Sequence, residues 1–411
     1  MKLIDFVKKN IWLITVAISI RLLVSAFLYH PDIKTIAFQT SFLKSGVVDI
    51  YSYLTDNKQS LTIKEDFVYF PLTYFTIGGY QAFVSPLLGD GFNQWVSDAG
   101  ANSTVNNSGI FRYLVLLKLP LIFADLAIAF LLMEFFKHRK NAIKVFELWL
   151  LNPFTIILIY AFSNIDLYTV LLTLISLLLF KRKRLLASVV ILGLAISFKL
   201  YPLLFVPFYF LSVRSVKEKM QVTVVPLVIF VLSLVPLWSK AFVNSALISG
   251  LSTRMFSPNF EIGFGESIIV GLLLITSLFF YGFLIEKKLK LFNYLVSLIL
   301  IIFSFSHFHI SWLLWIAPFL IVLAIKNDKL KWPIFIWAII AITIPLLYSD
   351  RSMTLSLFRI YTNWFDLLPT PFTVVNKFYD AYGLQSILHS ALAGISMVIV
   401  VIINTVKKNT K

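Results

Sequence analysis

Long apolar runs dominate the chain. Residues 11–29, 111–136, 265–285, 332–348 and 385–405 each hold 17 or more mostly apolar positions, enough for a helix rising 1.5 Å per residue to approach the roughly 30 Å hydrocarbon core of a bilayer. In lipid every backbone N–H and C=O must be paired within the protein, and the ten-residue alternation of a barrel strand does not recur here, so the runs predict helices. The pattern places spans at about 11–29, 67–88, 111–136, 143–161, 163–180, 185–211, 218–238, 265–285, 291–306, 309–325, 332–348 and 385–405. This is an all-α, polytopic transmembrane helical bundle of about 11–13 spans. After the first run, residues 33–54 set apolar and polar positions at helical spacing, with a stop at Gly46, and predict interfacial helices in the first outer loop.

Composition agrees, with 59% hydrophobic and 14% charged residues against about 25% charged in soluble domains. The net charge of +16 changes the picture only through its placement. Most Lys and Arg fall in short segments between spans: the N-terminus (Lys2, Lys8, Lys9), Lys137–Lys144, Lys181–Arg184, Arg214–Lys219, Lys287–Lys290, Lys326–Lys331 and Lys407–Lys411. Short basic loops mark the cytoplasmic side and suit anionic headgroups, so topology accounts for the basicity and nucleic acid is rejected as a partner. Loops 30–66, 239–264 and 349–382 are longer, acidic and aromatic, and are expected outside. Phe27, Leu28, Tyr29 and His30 offer no small-residue cleavage site, so the first run reads as an uncleaved anchor with its N-terminus cytoplasmic, in a multi-pass protein of a bacterial plasma membrane. The chain has no cysteine, hence no disulfide or thiolate chemistry. Asn102 and Asn106 begin Asn-x-Ser/Thr triplets, which matter only in a eukaryotic lumen.

Alternation of sides fails once. If Lys137–Lys144 is cytoplasmic, either 67–88 dips and returns, or 109–136 hides an extra crossing broken near Pro120. Segment 185–211 is long for one span and carries Lys199 and Pro202 at its middle. Irregular backbone at membrane depth is tolerated only against protein or a wet cavity, so these breaks point toward a site. No internal repeat is visible, which counts against a transporter.

Candidate chemistry gathers at the ends of apolar runs. Asp32, just past the first span, is placed to act as a general base toward a hydroxyl; its bland alternative is a solvated or helix-capping Asp. Tyr69 sits in an aromatic and proline cluster, Asp66–Leu72, which also fits an interfacial belt. Three constellations carry ionisable groups into spans, where they usually face an interior or cavity: Lys118, Pro120 and Asp125; Asn152, Pro153, Ser163, Asn164 and Asp166; and Lys199, Tyr201 and Pro202. Lys118 and Asp125 can alternatively pair with each other. Lys199 suits a phosphate or simple snorkelling. His307 and His309 invite a metal, but an i, i+2 pair on a helix diverges and lacks a nearby third ligand, so no metal is assigned and a phosphate or hydroxyl contact is preferred for His309. Arg254, Arg351 and Arg359 are outer guanidinium groups able to grip phosphate. A glycine-rich nucleotide loop is missing, and no cofactor is called for.

In chain order these marks resemble the GT-C superfold of membrane glycosyltransferases, especially the mannosyl- and glucosyltransferases that use polyprenyl-phosphate sugars. HPDIKTIAFQTSFLKSG resembles the family's catalytic loop, VYFPLTYF its Tyr-Pro-Pro-Leu segment and KLPLIFADLAIAFLL its Lys-x-Pro span. LNPFTIILIYAFSNIDLYTVLL is similar to its Asn-Pro pair of spans, SFKLYPLLFVPF to its Lys-x-x-Pro segment and SFSHFHISWLLWIAPFL to its late His-containing span. Departures fall at Leu72, at Ser163–Asn164 and at Ile310–Ser311. The resemblance implies a GT-C transmembrane module over 1–240, including the catalytic loop, followed by variable helices over 241–411. It implies inverting transfer of a hexose, mannose first, from a polyprenyl-phosphate donor to an acceptor hydroxyl of a lipid or glycan at the outer face. Asp32 would be the base; Lys199, His309, Arg254, Tyr201, Asp166 and Tyr69 would bind substrate or phosphate. The alternatives are a flippase or transporter of polyprenyl-linked sugars, or a surface-polysaccharide polymerase or ligase.

Overall fold

A computed structural model describes residues 3–98, 100, 102–105, 107–248, 254, 258–285 and 289–405. Lys2, Asn106, Lys287 and Lys407–Lys411, named above, lie outside them. Helix α1 (Ile11–Phe27) meets α2 (Pro31–Ser41) at an 84° bend. The bend is local chemistry: Pro31 cannot continue an incoming helix but suits the first position of a new one, and it forces the residue before it out of the helical region. His30 is accordingly extended (φ −113°, ψ 136°) and its side chain caps α2. The orphan carbonyls at the end of α1 are met by Lys118, whose Nζ donates to Ser25 O (3.0 Å) and Leu28 O (2.7 Å). Lys118 is therefore not the partner of Asp125. That carboxylate lies 2.6 Å from Arg21 Nε, both side chains fully buried, and also accepts from Trp149 and Tyr160.

After α3 (Ile50–Asp56), helix α4 (Pro71–Leu88) settles the first parity question. Thr73 Oγ1 near its start donates to Phe198 O (3.2 Å), while Leu88 O at its end accepts from Arg112 (2.8 Å). In between, Gln81 bonds Thr40 and Ala37 on α2, and Gly78 sits so close to Thr40 O that an added Cβ would lie 2.9 Å away. Phe198 and Arg112 are at the same end of the bundle as Asp32, so α4 lies unbroken along α2 at that end and neither dips and returns nor joins the helices long and apolar enough to cross. After the short α5 (Gly91–Ser97), α6 (Ile110–Met133) runs unbroken through Pro120. A proline removes the N–H that would bond the carbonyl four residues back; that carbonyl, Leu116 O, accepts from Tyr80 OH instead (2.8 Å).

Helices α7 (Arg139–Leu151) and α8 (Pro153–Ala161) form a second bent pair, at 48°. Segment 185–211 resolves into two legs, since α9 (Asp166–Lys181) is followed by α10 (Leu185–Phe198) and α11 (Tyr201–Ser212), with Lys199 at the apex. Tyr209 OH reaches Ser176 (2.7 Å), beside Ser188 near the Arg184 end, so α11 runs back to the basic end from which α10 rose. Then come α12 (Val216–Leu234), α13 (Val270–Leu284), α14 (Leu291–Ser304), α15 (Leu313–Lys326), α16 (Lys331–Leu346) and α17 (Ala381–Asn404). Among the described residues four helices are long and apolar enough to cross a membrane, or six if each bent pair is one span. That is fewer than the 11–13 spans predicted; several of the remaining predicted spans are apolar helices of 10–17 residues. The protein is an all-α polytopic bundle with one exception: Asn259–Gly263 (β1) and Glu266–Ile269 (β2) pair antiparallel, delaying the span predicted at 265 until Val270.

Candidate active site

At the end of the bundle opposite the basic segments lies a cavity of about 480 Å³. Its wall includes Asp32, Tyr69, Lys199, Tyr201, Arg254 and His309, six of the seven residues singled out from sequence. The seventh, Asp166, stands one layer behind.

Asp32 is the second residue of α2, held there by the His30 cap (Asp32 N–H to Nδ1, 3.3 Å). Its side chain is 53% accessible and lines the cavity. Burial raises its pKa above the ordinary carboxylate value, with His309 and Lys199 pulling it back and Asp350 pushing it up. Such a carboxylate is a stronger proton acceptor than a solvated one. His30 lies 3.5 Å from Asp32 Oδ1, and burial pushes it down to about 4. His309 is likewise lowered to about 4, first by burial, then by His30, with Asp32 opposing. Both are therefore neutral near pH 7. His309 Nδ1 accepts from Ser311 N–H (3.2 Å), which assigns its proton to Nε2 and leaves one N–H donor to offer.

Lys199 follows the last residue of α10 and Asp166 opens α9, so each complements a helix dipole. Lys199 Nζ is 3.1 Å from Asp166 Oδ1 and 5.0 Å from the Tyr69 ring centroid, a cation–π distance. The other Asp166 oxygen accepts from Trp315 Nε1 (2.8 Å). Asp166 thus holds two cavity residues and has little capacity left for a ligand. Its own position comes from the turn before it, where Ser163 takes φ +52° and Asn164 bridges Asp166 N–H to Ser311 O.

Sequence reasoning missed the cavity's aromatic wall. Tyr201 stacks on Trp315 (centroids 4.1 Å, 11°), which stacks on Trp312 (4.7 Å, 16°). The signal was the i, i+3 spacing of Trp312 and Trp315, which puts both on one helix face. Tyr201, almost fully buried, supports this stack. Of the other candidates, Arg351 bonds Leu368 O (2.6 Å), Arg359 pairs with Asp366 (2.7 Å) and His307 stacks on Tyr348; none lines the cavity. Asp66 does, paired with Lys58 at 2.9 Å. Among the described residues no three His, Asp or Glu converge as a metal-ligand set.

The arrangement brings together a half-exposed carboxylate, a lysine, an arginine, a neutral imidazole donor and the margin of an aromatic stack, a set able to accept a proton and to face an anion. No curated protein and no solved structure matches the chain. The matched part of a family model covers Asp166, Lys199, Tyr201 and Arg254 and stops short of Asp32 and His309. That model, matching residues 111–265, is Glycosyltransferase family 87, and with the apolar helical bundle it supports an integral membrane glycosyltransferase of GT-C-like type.

Proposed function

We propose that the chain transfers a hexose, mannose first among the candidates, from a polyprenyl phosphate to an acceptor hydroxyl on a lipid or glycan, with inversion at the anomeric carbon. The observation that carries this reading is the convergence of Asp32, Lys199, Arg254 and His309 on one cavity, from segments up to 277 positions apart. The acceptor O–H gives its proton to Asp32 as its oxygen bonds the anomeric carbon. The bond from that carbon to the phosphate oxygen breaks, and the phosphate leaves with its electron pair. Lys199, Arg254 and the His309 N–H face the charge that develops there, and electrostatic stabilisation of this kind is usually the largest single contribution to such a rate. Trp312 borders the cavity at the margin of the aromatic stack, and Asp166 keeps Lys199 and Trp315 in place.

The basic end is assigned to the cytoplasm by the positive-inside rule, so the cavity opens on the far side of a bacterial plasma membrane. A site at one end of the bundle, roofed by α2, suits an enzyme drawing its donor from one leaflet better than a carrier, which needs a site near the midplane. The test is to reconstitute purified protein with radiolabelled polyprenyl-phosphate mannose, glucose and arabinose plus total lipid extract. Label passing from one donor into a new product supports the reading. Transfer only from nucleotide sugars, or movement of intact donor across the bilayer without transfer, overturns it.

A further inference from the structure

The hairpin Asn259–Ile269 protrudes from the cavity end with its apolar side uncovered. Its register pairs Phe260 with Ile268, Glu261 with Ser267 and Asn259 with Ile269, so alternation sets Phe260 and Ile268 on one face and Asn259, Glu261, Ser267 and Ile269 on the other, while Ile262 falls in the bulge between Glu261 and Gly263. At the tip, Gly263, Phe264 and Gly265 all take positive φ, turning the Phe264 ring fully outward. Phe260, Ile262, Phe264 and Ile268 are all exposed, at 70, 59, 110 and 41%. A clustered apolar face of this kind marks an interaction surface.

Its continuity identifies the partner. Val270 N–H bonds Pro258 O (3.1 Å), rooting the hairpin on the first turn of α13. Helix α13 is itself lipid-facing, with Leu272, Leu273, Phe280, Phe283 and Leu284 exposed. Its 15 residues span only about 22 Å, roughly 8 Å short of the hydrocarbon core. The helix therefore ends near the headgroup level at the cavity end, and the exposed Phe260, Phe264 and Ile268 of the hairpin continue its apolar surface there. Trp364 and Tyr382, exposed at that same end, are side chains suited to headgroup depth. We infer that the hairpin seats its Phe260 and Ile268 face and its Phe264 tip in the headgroup–acyl boundary of the bilayer beside the cavity, with the Glu261 and Ser267 face toward water.

Because the chain has no cysteine, single labels test this directly. Phe260→Cys, Phe264→Cys, Glu261→Cys and Ser267→Cys are each spin-labelled in the full-length protein and reconstituted in phosphatidylcholine and phosphatidylglycerol bilayers. Collision rates with apolar oxygen and with a water-soluble nickel chelate are then compared. All four positions are exposed, so the substitutions leave the core intact. A severalfold higher oxygen-to-nickel ratio at 260 and 264 than at 261 and 267 is expected. Nickel-rich labels at all four would put the hairpin in water, and oxygen-rich labels at all four would submerge both faces; either overturns the inference. Labels at 260 and 264 shielded from both reagents would mean that a protein covers the face, a second copy included, and would overturn it as well.

Discussion

Asp32→Asn separates catalysis from stability at the residue that matters most. A positioned general base contributes about 10²–10⁴-fold to a rate, or about 2.7–5.4 kcal/mol of barrier at 1.36 kcal/mol per factor of ten. The amide keeps the volume and the backbone of α2, whose cap uses the Asp32 N–H and the His30 ring, but cannot accept the proton. Stability moves the other way. The folded pKa of Asp32 is raised, mainly by burial, so its stabilising contribution is full below the unfolded pKa, near 3.9, and is lost as pH rises through the folded value. At pH 7 the wild type carries that cost and the Asn variant does not. Initial rates with a labelled donor in proteoliposomes should therefore show kcat down by 10²–10⁴ with little change in donor KM. Thermal unfolding at pH 7 should occur at the same or a higher temperature than wild type, and the difference should shrink toward pH 4. The acid limb of the wild-type rate should also lie above the ordinary carboxylate range, because the base must be ionised to work. A kcat within threefold of wild type would move the base elsewhere, to Asp66 first, and a lost rate accompanied by a lowered unfolding temperature would make Asp32 structural.

Asp125→Leu should destabilise the protein by about 3–5 kcal/mol in detergent unfolding, because it strands buried Arg21, while Arg21→Met with Asp125→Leu should recover much of that loss. Trp315→Phe keeps an aromatic ring against Tyr201 but drops the bond to Asp166, a charge-assisted contact of about 1.5–3 kcal/mol; a higher donor KM with an unchanged fold by circular dichroism is expected. Lys199→Met and Asp166→Asn should each raise donor KM, and the double variant should fall short of the sum by about 0.5–3 kcal/mol, as for residues in one network. Additive effects in that cycle would mean that the two act separately.

Much of the site was legible because charge is expensive at membrane depth. Asp32, Asp166, Lys199 and His309 stand out as polar groups at the ends of apolar runs; the failed alternation of sides pointed to 67–88 or 109–136, and the length of 185–211 with Lys199 and Pro202 at its middle pointed to the Lys199 turn. What stayed hidden is long-range pairing. Nothing in the order of residues says that Asp125 takes Arg21, 104 positions away, rather than Lys118 two turns away on its own helix. The choice is made by the orphan carbonyls at the end of α1, which claim Lys118. The Tyr201, Trp315 and Trp312 stack joins two separate segments and is equally invisible along the chain. The hairpin was masked by its neighbour: the period-two run from Phe260 to Phe264 abuts an apolar stretch that reads as one span from 265, so Gly263 and Phe264 fell into the preceding loop and Gly265 into the span.

The most direct test of the account is a cryo-EM structure of the Asp32→Asn variant with a polyprenyl-phosphate sugar bound in lipid nanodiscs. The account predicts a sugar ring in the cavity, its anomeric carbon facing residue 32 and its phosphate within hydrogen-bond distance of Lys199, Arg254 or His309. A donor bound near the middle of the bundle, or a phosphate held at the basic end while the cavity stays empty, would contradict it.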